Sequence, residues 1–129
     1  MSVARLTVGC CAGSADLPAL ESTPGIDFIE LPIAKSLMGS AGDFEKLARM
    51  IDRSSLAARA ANVFLPATLK VVGPDVKPDE LSVYAATALD RAHRLGVDVL
   101  VFGSGASRMV PEGFPREREI GRASCRERV

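Results

Sequence analysis

The sequence predicts an α/β fold built on a parallel sheet. Three observations carry this. Short apolar runs recur along the chain, helical patterns fill the intervals between them, and Gly or Pro punctuates the junctions. Runs that are apolar at nearly every position suit strands buried on both faces beneath helices.

The first expected strand is Leu6-Thr-Val-Gly9. Ala15 to Glu21 is a weak helical pattern in which Pro18 can open a short helix. The second strand is Phe28-Ile-Glu-Leu-Pro32, entered through the turn Thr23-Pro-Gly-Ile-Asp27. From Asp43 to about Arg53, Phe44, Leu47, Ala48 and Ile51 fall on one stripe of a helix. The third strand is read at Asn62-Val-Phe-Leu-Pro66.

Pro78 to Leu95 is the strongest helical pattern. Pro78, Asp79 and Glu80 fill its first turn, where a missing N–H costs nothing and negative charge meets the positive end of the dipole. Leu81, Tyr84, Ala85, Ala88, Ala92 and Leu95 make the buried face, and Gly96 supplies the stop. The fourth strand, Val97 to Phe102, is bounded by Gly96 and Gly103. This alternation fits either a doubly wound open sheet or a (β/α)8 barrel, a fold that typically needs about 250 residues.

Composition narrows the function classes. The chain is 47% hydrophobic and 25% charged with no net charge, which excludes a disordered or collagen-like chain. Balanced charge gives no electrostatic case for nucleic acid or an anionic membrane. No apolar run reaches the roughly 18 residues of a membrane span. The N-terminal apolar run is too short and too punctuated for a secretory signal. Cys10 and Cys11 are adjacent, so they cannot form an ordinary disulfide with each other, and they lack C-x-x-C spacing. They read as small buried strand residues in a reducing cytoplasm.

Residues 119–129 read differently. Glu119-Ile-Gly-Arg-Ala-Ser-Cys-Arg-Glu-Arg-Val129 back-translates in frame into a standard short-read sequencing adapter. The expectation is that native sequence stops near Arg118 and that residues 1–118 are the N-terminal part of a longer protein. The alternative is a solvated tail of mixed charge.

Few residues carry chemistry. Gly103-Ser-Gly-Ala-Ser-Arg108 follows a strand, but Arg108 stands where a dinucleotide fingerprint needs its third glycine, and a loop follows where a helix is required. Small residues at a strand's C-terminal end do allow close approach of a ligand. Glu30 interrupts an apolar strand. Alternation sends it to the face opposite Ile29 and Leu31, where it either meets substrate or is satisfied by a neighbouring Lys or backbone N–H. His93, the only histidine, lies beside Arg91 and Arg94 in the last turn of the long helix and reads as a solvated charge. No Ser-His-Asp set, P-loop or H-E-x-x-H motif occurs.

Phe28-Ile-Glu-Leu-Pro32, Asn62-Val-Phe-Leu-Pro66, Leu69-Lys-Val-Val-Gly-Pro74, Leu95-Gly-Val-Asp-Val-Leu-Val-Phe-Gly-Ser-Gly105 and Val110-Pro-Glu-Gly-Phe-Pro115 together resemble the sugar phosphate isomerase/epimerase family. Its members have a xylose-isomerase-like TIM barrel, and the resemblance covers nearly all of residues 4 to 118. It implies the N-terminal half of a (β/α)8 barrel, about four βα units. It also implies a divalent ion, Mn or Mg, held by Glu, Asp, His and Glu residues of later strands, beyond Arg118. The substrate would be a sugar or sugar phosphate, and the protein a cytoplasmic enzyme able to form a homo-oligomer, with no nucleic-acid or membrane partner.

What the resemblance places on this chain is the substrate-facing rim: Glu30, the Gly103, Ser104 and Gly105 loop, and Arg108. Residues 1–118 alone would then be inactive. Other readings stay open: a dehydratase or keto-acid isomerase on the same barrel, a non-catalytic binding domain, and, less favoured, an NAD-dependent oxidoreductase.

Overall fold

A computed structural model describes residues 5–115. The expectation about residues 119–129 falls outside them. The described residues form a mixed α/β fold around a four-stranded parallel sheet, in the order β1 (Gly9–Cys11), β2 (Phe28–Pro32), β3 (Ala57–Asn62) and β4 (Val99–Leu100). Helices α1 (Leu17–Glu21), α2 (Ala41–Arg53) and α3 (Pro78–Arg94) lie in the connections.

β2 obeys the period of a strand. Ile29 and Leu31 are fully buried, while Phe28, Glu30 and Pro32 on the other face are half-buried. The buried face belongs to the main core, which takes Phe44, Leu47 and Ile51 from α2 and Ala88 and Ala92 from α3. The opposite face carries Cys11, Glu30 and Ala60 side by side in register.

β3 is displaced from its expected position, Asn62 to Pro66. The strand is Ala57-Ala-Arg-Ala-Ala-Asn62, and Asn62 is its last residue rather than its first. Alanine has a weak strand preference, and packing overrides it here. Ala58 and Ala61 are both buried with α2 and α3 above the sheet, where small side chains allow close approach. An irregularity between Ile29 and Glu30 makes this possible. Ile29 pairs with Ala58 but Glu30 pairs with Ala60, so Arg59 is an extra residue that turns outward to Asp98, 3.1 Å away.

Two other strands are also shifted or shortened. Pairing of β1 begins at Gly9, because Gly9 lies opposite Phe28, where β2 starts. Leu6 is left exposed, and the N-terminal stretch is tied instead through Asp27, which accepts from Arg5 and from the Val8 N–H. The β4 ladder is confined to Val99 and Leu100, extended by Asp98 N–H to Arg59 O and Val101 N–H to Ala61 O.

The helices follow their sequence signals. Ser40 caps α2: its hydroxyl accepts from the Asp43 N–H at 3.1 Å and donates to the Asp43 carboxylate at 2.6 Å. That hydroxyl, and after it the charge of Lys46, holds the Asp43 carboxyl below its ordinary range. α3 ends where Gly96 takes φ +77°. Arg91, in the last turn of α3, donates to Leu37 O and Gly39 O at 2.6 and 2.8 Å, which ties α3 to the π-turn Ile33–Leu37. His93 is exposed, as expected. No described helix is long and apolar enough to cross a membrane.

Candidate functional site

The C-terminal ends of β1, β2 and β3 place three polar side chains together on the face away from the helices. Glu30 Oε1 accepts from Asn62 Nδ2 at 2.6 Å, and Cys11 Sγ lies 3.7 Å from the same oxygen. Asn62 Nδ2 also contacts Cys11 Sγ. Neither cysteine is buried as expected: Cys10 is half-buried and Cys11 exposed, because β1 is the edge strand of the described sheet. Glu30 Oε2 has no hydrogen-bond partner among the described residues, which leaves one carboxylate oxygen for a donor from outside. Among the described residues the partner of the Glu30 carboxylate is the Asn62 amide, rather than the lysine or backbone N–H that a satisfied carboxylate was expected to have.

The backbone at this edge is constrained. Val63 follows Asn62 and has φ +47°, a left-handed conformation that a β-branched residue rarely adopts. Its carbonyl accepts from the Ala34 N–H, and its nitrogen lies 3.7 Å from where a Cβ on Gly103 would stand; Gly103 has φ +56°. Val63 is largely exposed, so little packing opposes its replacement. We expect Val63→Gly to raise stability by about 1 kcal/mol, the released strain less the added chain flexibility, as read by urea denaturation. A loss of stability would show that the left-handed turn is unstrained.

The loop after β4 lies against the loop after β3. Ser104 is buried; its hydroxyl accepts from the Leu65 N–H at 2.7 Å and donates to Phe102 O. Ser107 donates to Pro66 O, and Lys70 donates to Ala106 O. Gly105 opens a 3-10 turn, Gly105–Arg108, and is exposed. Arg108 is exposed and places its guanidinium 5.8 Å from the Phe102 ring centroid.

The predicted rim therefore divides in two. Glu30 joins Asn62 and Cys11, whereas Gly103, Ser104, Gly105 and Arg108 form a strut on the β3 loop. Among the described residues no hydrogen bond joins Glu30 to Arg108. Ser104 spends its hydroxyl on backbone, so any ligand contact there falls to the glycine backbone or to Arg108. Sequence reasoning missed Asn62, which it placed at a strand's start. The available signal was a lone amide ending an alanine-rich run.

Glu30 and Asn62 supply a hydrogen-bond acceptor and an amide beside a thiol, a set suited to hydroxyl-bearing ligands and to proton transfer. They do not constitute a metal centre. No three His, Cys, Asp or Glu side chains converge among the described residues, so an ion would need ligands from elsewhere. Comparison of the chain with protein-family models, curated proteins and solved structures finds no match.

Proposed function

We propose that these residues are four βα units of a (β/α)8 barrel that isomerises or epimerises a sugar or sugar phosphate. One observation carries the reading. Glu30 stands on the helix-free face of a parallel sheet, at the strands' C-terminal ends, with one oxygen fixed by Asn62 and the other free. Barrel enzymes place their catalytic groups at that end and on that face.

The surface of β4 supports the barrel over an open two-layer sheet. Val99 and Val101 are exposed on the Glu30 side, and Leu100 and Phe102 are exposed as well. A further strand and its helix would cover both. The chemistry is proton removal next to a carbonyl and its return elsewhere, with Glu30 accepting the proton or a substrate hydroxyl. No step is assigned to a metal ion here, because the described residues do not fit one.

The test is isotope exchange by the intact protein in heavy water, with and without added Mn or Mg. Aldoses and ketoses, free and phosphorylated, are incubated and read by NMR. We expect deuterium at the carbon beside the carbonyl, with no nicotinamide required. Turnover only with a nicotinamide cofactor, or loss of water from the substrate without exchange into recovered sugar, would replace this reading with one of the alternatives.

A further inference from the structure

We infer that the cleft just beyond β1 and β2 is an oxyanion site for a phosphate group. The cleft has a volume of about 460 Å³ and lies between the loops after these strands and α2. Lys35, Lys46, Ser14 and Ser36 supply its polar lining, with Asp43.

Three observations point to an anion. First, two lysines and one carboxylate line the cleft, and that carboxylate is already engaged. Asp43 accepts from the Ser40 hydroxyl at 2.6 Å and lies 3.8 Å from Lys46. Second, Lys35 has no ion pair, and the hydroxyls of Ser14 and Ser36 have no hydrogen-bond partner, among the described residues. The cleft thus carries two ammonium and two hydroxyl groups in its lining against one carboxylate. A phosphate offers several strong acceptor oxygens and a double charge, and lysine serves it as a point charge.

Third, the cleft continues the polar cluster. Gly13 and Pro32 line it, and each lies two residues along the chain past Cys11 and Glu30, which pair across β1 and β2. At roughly 3.3 Å of rise per residue, the cleft opens about 7 Å beyond the Glu30 backbone. A phosphorylated sugar can reach from the cleft to the Glu30 carboxylate. The choice of a sugar phosphate rests on the proposed function; phosphate binding itself does not.

The test is calorimetric titration of the 129-residue chain with inorganic phosphate, ribose and ribose 5-phosphate at low salt. We expect phosphate and ribose 5-phosphate to bind and ribose to bind more weakly. Lys35→Ala should weaken phosphate by about tenfold or more, and Asp43→Asn should strengthen it, with circular dichroism confirming the fold of each. Binding of ribose as tight as that of ribose 5-phosphate, or phosphate affinity unmoved by Lys35→Ala, overturns the site. A positive phosphate titration with no isotope exchange by the intact protein would keep the anion site and remove the isomerase reading.

Discussion

Phe44→Ala is expected to cost about 3–5 kcal/mol of stability, the range for emptying a buried aromatic site. Phe44 is 1% exposed at the centre of the core between α2 and the sheet. Its ring also carries two cations: the guanidinium carbons of Arg91 and Arg94 lie 5.0 and 4.8 Å from its centroid. Each such contact adds about 0.5–1 kcal/mol at an exposed site. The substitution leaves the Ser40 cap intact, so the loss measures packing rather than helix initiation. A domain of ordinary stability, about 5–15 kcal/mol, would lose about a fifth of it or more. Urea denaturation of Phe44→Ala beside Phe44→Leu reads the effect. A loss under about 1 kcal/mol would mean that α2 does not pack on the sheet as described.

Glu30→Gln in the intact protein is expected to lower kcat by about 100-fold or more, the usual worth of a positioned acid or base. Gln keeps the shape and an oxygen that accepts from Asn62, so the fold survives while the carboxylate charge is lost. If Glu30 acts in the transition state, kcat and kcat/KM fall together. If it only holds substrate uniformly, KM rises alone. A drop in melting temperature with unchanged kinetics would make Glu30 structural and remove it from the reaction.

The legible parts of this fold were those in which local pattern and packing agree. β2, α2 and α3 announce themselves through alternation, an apolar stripe and charged ends. The side of the sheet that Glu30 occupies followed from its apolar neighbours alone. β3 was illegible, because alanine signals no strand and the apolar run beside it, Val63 to Leu65, is a loop folded back by the left-handed turn at Val63. Asn62 was lost with it, since its role depends on which end of the strand it holds. Ser104 read as a ligand-facing loop residue, and its burial beneath the Leu65 N–H depends on how two loops pack. The tie that Arg91 makes was not legible either, because its acceptors, Leu37 and Gly39, lie far away along the chain.

The crystal structure of the intact protein with its sugar bound tests the central claim most directly, because it shows what covers the face that carries Glu30. The account predicts a fifth parallel strand on the free edge of β4, closure into eight strands, and a sugar hydroxyl within hydrogen-bond distance of the Glu30 carboxylate. An open sheet with helices packed over Glu30, Asn62 and Cys11 would contradict both the barrel and the site.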